Sequence, residues 1–181
     1  MTRRGKTLIL PLLLGCAILD TARALPDEPE RDRSVRAGSV ELGISGLLTS
    51  VEGTVQAKVG VRGGTFFAAP IGLWGTELEA SYAYIRSLHQ VDLEANVSWT
   101  VPVDVEGIWP SLAVAGGIRI EQVGSYRQTL VPIGGTAGLR ILATKSAGVR
   151  LDVKIRRMMN DPVQDYTEIN LALGISLFLQ P

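Results

Sequence analysis

The sequence has one cysteine, Cys16, and one histidine, His89, among 181 residues. A single cysteine excludes an internal disulfide framework and a cysteine-rich zinc site. A single histidine excludes sites that need two or more. A surplus of one charge is also missing. The 18 basic and 18 acidic residues cancel, so nothing points to a nucleic-acid partner. No segment beyond the first two dozen residues carries a helical period. What is present is 46% hydrophobic residues and 20 glycines, which favours turns and closely packed strands in one domain.

The start reads as an export signal. Arg3, Arg4 and Lys6 precede an apolar run from Thr7 to Leu19, and Ala22-Arg23-Ala24 ends it with a small-x-small site. The run is shorter than the ~20 residues that span a bilayer. Leu13-Leu14-Gly15-Cys16 offers a competing site at which Cys16 would be lipidated. Either cleavage leaves no free thiol, which suits an oxidising compartment. The expected division is a signal peptide over 1–24, a polar linker over 25–37 and a barrel domain over 38–181. The linker has two prolines and mixed charge, so it belongs to no core.

From Gly38 onward, apolar residues fall on alternate positions. Val91, Leu93, Ala95, Val97 and Trp99 share one face; Asp92, Glu94, Asn96 and Ser98 share the other. Eight such segments are expected, over 39–51, 54–66, 74–86, 89–102, 108–121, 128–142, 146–157 and 166–179. Turn residues separate them, among them Glu52-Gly53, Gly124-Ser125 and Asn160-Asp161-Pro162. Eight antiparallel strands joined in sequence close into an all-β up-and-down barrel without free edges.

Period two alone leaves the outward face open. A soluble barrel holds its apolar face inside; a membrane barrel holds it outside. The polar face favours the membrane form. It carries many tiny residues, such as Gly43, Gly60, Gly117, Gly134, Gly138 and Gly174, which a narrow filled lumen needs and a solvent-washed face does not. Its acids are Glu41, Glu77, Glu79, Asp92, Glu94, Glu121, Asp152 and Glu168. Its bases are Lys58, Arg62, Arg119, Arg140, Arg150, Lys154 and Arg156. This near balance suits a paired internal network, because a lone buried charge is costly. The opposite face carries no charge at the strand centres. A short turn at Leu142–Lys145 sets Gly138, Thr136 and Gly134 opposite Arg150, Asp152 and Lys154. The following pair sets Arg156 opposite Glu168. Trp74, Trp99, Trp109, Tyr82, Tyr84, Tyr126 and Tyr166 fall toward strand ends, as interfacial girdles or as ordinary hairpin packing.

Leu78-Glu79-Ala80-Ser81-Tyr82-Ala83-Tyr84 resembles the third strand of the small outer-membrane β-barrel family. That eight-stranded group includes the transmembrane domain of outer membrane protein A. The run Trp109 to Gly117 resembles its fifth strand; Gly134 to Arg140 and Val149 to Lys154 resemble its sixth and seventh. The resemblance covers roughly 38–179 and implies an outer-membrane location reached through the insertion machinery. The chain ends Phe178-Leu179-Gln180-Pro181, where the family usually has a terminal aromatic.

The outer turns, near 51–53, 87–88, 122–127 and 158–165, are short, which weakens a receptor or adhesin reading. The expected function is that of a small non-enzymatic barrel with a largely closed lumen and a structural, membrane-integrity, partner-binding or lipid-interacting role. No cofactor is expected. The alternatives are a soluble periplasmic lipid-binding barrel, a narrow pore, or a lipid-modifying enzyme that uses His89 with Ser87 or Ser81. Arg86, Arg127 and Arg157 near the outer turns are candidates for lipopolysaccharide phosphates, with solvated rim charge as the plainer account.

Overall fold

A computed structural model describes residues 35–51, 54–85, 87–160 and 165–181. The signal peptide, most of the linker, Glu52-Gly53 and Arg86 lie outside the described residues. Eight strands follow in order: β1 Val40–Val51, β2 Thr54–Ala69, β3 Gly72–Ile85, β4 Leu88–Thr100, β5 Ile108–Val123, β6 Tyr126–Leu142, β7 Ala147–Met159 and β8 Tyr166–Leu179. Each pairs antiparallel with the next, and β8 pairs with β1 to close the barrel.

The register fixes the size. Partners traced from Val40 run through Thr65, Thr76, Val97, Val114, Gly135, Ile155 and Ile169 back to Ser50, ten residues further along β1. With eight strands, a rise of ~3.3 Å and a spacing of ~4.8 Å, that shear tilts the strands by about 40°. The backbone radius is then about 8 Å, enough for side chains and little else.

The alternation expected from the sequence resolves in one direction. Leu42, Ile44, Leu78, Leu93, Val114, Leu151, Leu171 and Leu173 point outward and are exposed. Glu41, Lys58, Arg62, Asp92, Arg119, Asp152, Arg156 and Glu168 point inward and are buried. Outward aromatics form two rows. Phe67, Trp74 and Trp99 are cross-strand neighbours at the end bearing the termini; Tyr84 pairs with His89 at the far end. Trp74 and Tyr84 are ten residues apart on β3, so at about 40° of tilt the rows stand about 25 Å apart, the height of a membrane barrel's apolar band. Trp109 and Tyr166 are not girdle residues. Their strand positions share the parity of Ser111 and Glu168, which turns both inward: Trp109 packs under the lumen and Tyr166 reaches Arg119.

Two spacing expectations change. The β6–β7 register is shifted by two, so that Gly138 faces Asp152, Thr136 faces Lys154 and Gly134 faces Arg156. The Thr144 hydroxyl accepts the amides of Ser146 and Ala147 and widens the turn. An even slip leaves every side chain on its expected face. The β5–β6 hairpin also runs further than expected, and closes over Gly124-Ser125 with Gly124 at φ 59°. The β7–β8 pairs stand as read, Arg156 opposite Glu168 and Asp152 opposite Ala172.

Adjacent glycines on β6 differ sharply. A Cβ on Gly134 would strike the Ile155 carbonyl and sit 3.0 Å from the Arg156 Cα, whereas one on Gly135 would meet only the Ala113 carbonyl at 3.6 Å. We expect Gly134→Ala to destabilise the barrel by about 1–3 kcal/mol, as overpacking does, and Gly135→Ala to leave it nearly unchanged. Urea unfolding of the detergent-folded protein measures both.

Candidate functional site

The lumen is the most heavily built region of the molecule. Its fully buried acids are Glu41, Glu77, Glu79, Asp92, Glu94, Asp152 and Glu168. Its buried bases are Lys58, Arg62, Arg119, Arg140, Arg150, Lys154 and Arg156. Seven charges meet seven. Glu121, the remaining acid of the expected set, is half-buried near the far rim and accepts a hydrogen bond from Gln128 at 2.7 Å.

The balance holds at each height. Nearest the termini, Arg140 reaches Glu41 at 3.0 Å and Glu77 at 3.8 Å, while Arg150 pairs with Glu77 and with Glu41 at 3.4 Å. In the middle, Arg62 holds Asp152 at 2.7 Å, Lys154 holds Glu79 at 2.6 Å, and Arg156 holds Glu94 at 2.9 Å. Arg150 also reaches Asp152 at 2.9 Å and joins these two levels. Toward the far end, Arg119 lies between Asp92 at 2.6 Å and Glu168 at 2.5 Å, and Lys58 reaches both acids at 3.2 Å. Two, three and two cations thus meet two, three and two anions. Glu121, 3.9 Å from Arg119, adds a partly exposed acid at the far rim; among the described residues that are buried, no level carries an uncompensated charge, whose cost in low dielectric would be several kcal/mol. The loosest link is Arg62 Nη2 to Glu79 Oε2, 4.0 Å apart and each without a hydrogen-bond partner.

Apolar groups pack into one end of the lumen and, in smaller number, into the other. At the end bearing the termini, Val35, Phe66, Leu142 and Phe178 form a buried cluster, with Leu73 and Trp109 packed against it. Gly38, at φ 87°, bends the chain preceding β1 across this mouth, and its amide donates to the Phe66 carbonyl at 2.7 Å. The Arg140 guanidinium lies 5.2 Å above the Phe66 ring and joins plug to network. At the far end, Leu130 and Met158 are wholly buried.

The rim candidates are scattered. Arg127 and Arg157 are exposed near the far end, and Arg157 lies 3.6 Å from Asp165; Arg86 is outside the described residues. His89 faces outward. It shares a 2.9 Å hydrogen bond with the Tyr82 hydroxyl and stands 4.8 Å from the Tyr84 ring. Ser81 points into the lumen, where its hydroxyl donates to Asp92 at 3.3 Å. The barrel wall therefore separates His89 from Ser81, whereas Ser87, the other serine of that alternative, is exposed in the β3–β4 turn at φ 94°. The parity of Ser81 and His89 across the hairpin turn sets these two side chains on opposite faces. The sequence reading missed the apolar plug, whose members come from both ends of the chain.

No family model matches the sequence, and no curated protein matches it. Solved structures do. The N-terminal β-barrel domain of Pseudomonas aeruginosa OprF is 15% identical with a TM-score of 0.59, covering 79% of this chain and 98% of that one. The outer membrane protein OprG from Pseudomonas aeruginosa is 10% identical with a TM-score of 0.59, covering 83% of this chain and all (100%) of that one. The outer membrane enzyme PagL is 12% identical with a TM-score of 0.51, covering 74% and 97%. The chain has the fold of the small eight-stranded outer-membrane β-barrels. An enzyme shares that fold, so the fold alone assigns no activity.

Removing one charge should expose the logic of the network. Arg119→Met leaves three charges, Lys58, Asp92 and Glu168, where four had balanced. It should cost about 3–5 kcal/mol. Adding Glu168→Gln restores neutrality through Lys58 and Asp92 and should recover a large part of the loss. A double-mutant cycle on urea unfolding checks this.

Proposed function

We propose that the protein is a non-enzymatic barrel of the bacterial outer membrane, exported with removal of its first 24 residues. In this reading it does not conduct, and acts through its wall as a structural and lipid-contacting element. The observation that carries this reading is the inversion of the barrel. An uncharged apolar band about 25 Å high lies between two aromatic rows, and fourteen charged side chains are enclosed within it. A soluble lipid-binding barrel needs the reverse, an apolar lumen beneath a charged surface. The closed lumen supports the non-conducting part. Ion-paired side chains fill an interior of about 8 Å radius, and an apolar cluster packs into the mouth at the end bearing the termini. The inward Ser81 is out of reach of the outward His89, whose ring is instead engaged by Tyr82 and Tyr84. With the termini in the periplasm, the connections at the outer surface are two residues at 52–53, 86–87 and 124–125, and six at 160–165. That leaves lipid and neighbouring membrane proteins as the reachable partners.

Fractionation of cells expressing the full chain tests the location. The protein should be recovered in the outer membrane and migrate differently on SDS gels with and without boiling; detergent-free recovery from the periplasm would overturn the reading. Leu173→Arg, on the outward face near mid-barrel, should cost about 2–4 kcal/mol and abolish insertion, whereas Asn96→Ser, inside the lumen, should insert normally. Planar bilayers with the purified barrel should show no steady conductance.

A further inference from the structure

The outward face is not uniform. Two shallow apolar grooves cross it. One, of about 580 Å³, lies over β1–β5 among Leu42, Val61, Leu78, Leu93 and Ile118. Charged residues border it, but the side chains of Arg62, Glu79 and Glu94 turn into the lumen. The other, of about 540 Å³, lies over β5–β7. Leu112, Ile133, Val153 and Ile155 wall it, and its far end reaches Thr167 and Arg157. This second groove is lined by an outward cation. By register Arg157 sits between Ile133 and Thr167, at the height of Tyr82 and Tyr84.

We propose that the β5–β7 groove is a specific site for a phosphorylated lipid of the outer leaflet, with one acyl chain along the groove and the phosphate on Arg157. This deepens the reading of the protein as an outer-membrane, lipid-contacting barrel and rests on it. The charge at the rim argues for this occupant. Arg157 stands where aromatic side chains mark the membrane surface, which is where phosphates lie. Its present partner is weak: Asp165 is 3.6 Å away, with side chains 61% and 39% exposed, and such pairs contribute little. A phosphate offers a guanidinium a stronger, two-pronged charge-assisted contact. The groove leads from that point toward mid-membrane, the path of a chain hanging from a headgroup. A second copy of the barrel is the poorer occupant. Two upright copies meeting about a two-fold axis over this groove bring their Arg157 side chains to the same height, like charge against like.

The grooves supply their own control. A Cβ on Gly135, in the floor of the β5–β7 groove, meets nothing closer than 3.6 Å, and one on Gly116, in the floor of the other, nothing closer than 3.9 Å. The backbone therefore admits a Cβ at either position, and Gly135→Phe and Gly116→Phe each direct a ring over one groove. The full-length protein and its variants are purified from Gram-negative outer membranes, washed in mild detergent and examined by native mass spectrometry and phosphate assay. Wild type should retain phosphorylated lipid. Arg157→Glu and Gly135→Phe should each retain about tenfold less, the loss of a charged hydrogen bond or of its site, and Gly116→Phe should match wild type. Four results would each overturn the proposal: no phosphorylated lipid on wild type, undiminished lipid on Arg157→Glu or Gly135→Phe, equal loss in Gly116→Phe, or a dimer in place of the lipid adduct. Arg157→Glu lies on the rim and decides the matter if Gly135→Phe fails to fold. Heat-modifiable wild-type protein in the outer membrane without bound lipid sinks this inference alone; wild type absent from that membrane sinks the underlying reading.

Discussion

Electroneutrality inside a narrow, water-poor tube is the constraint on which the rest of this structure depends. An interior of about 8 Å radius holds seven cations and seven anions. The Coulomb gain of any one pair is offset by desolvation, so the arrangement survives only if no charge is left over at any height. The 2:2, 3:3 and 2:2 grouping meets that condition. It bears on the small residues too. Gly138 stands opposite Asp152, whose carboxylate occupies the space a Cβ would need, while Gly134, opposite Arg156, is held to glycine by the close approach of the Ile155 carbonyl.

The same economy explains the ends. Buried ion pairs gain strength as water is kept out. The plug of Val35, Phe66, Leu142 and Phe178 covers the network at the end bearing the termini, and Leu130 and Met158 are buried toward the other. Arg140 joins the two kinds of packing, bonded to Glu41 on one side and stacked over Phe66 on the other. Outside, the problem is reversed. Lipid accepts the apolar band but tolerates charge only at its edges, and the outward Arg157 lies at such an edge.

Much of this was legible in the sequence, because alternation with period two is local. Asp92, Glu94 and Asn96 against Leu93, Ala95 and Val97 define two faces without any partner strand, and all fourteen interior charges followed from that pattern. Register was less legible. The β6–β7 slip came from the Thr144 hydroxyl capturing two amides, a choice of turn that periodicity does not encode. Nearness to strand ends misplaces Trp109 and Tyr166, whose own parity turns them inward. The plug and the grooves were out of reach, since Val35 and Phe178 meet only when β1 closes on β8, and the β5–β7 groove takes shape only once three strands are aligned.

The outer connections have a last consequence. Three of the four are two residues long. In the proposed orientation, a protease, phage or antibody approaching from outside meets strand ends joined by very short connections at three of the four positions. Such a protein can be abundant on a cell surface and offer little to grip. Its variation should be least constrained at those hairpin tips, where a graft would be displayed without reaching the wall beneath.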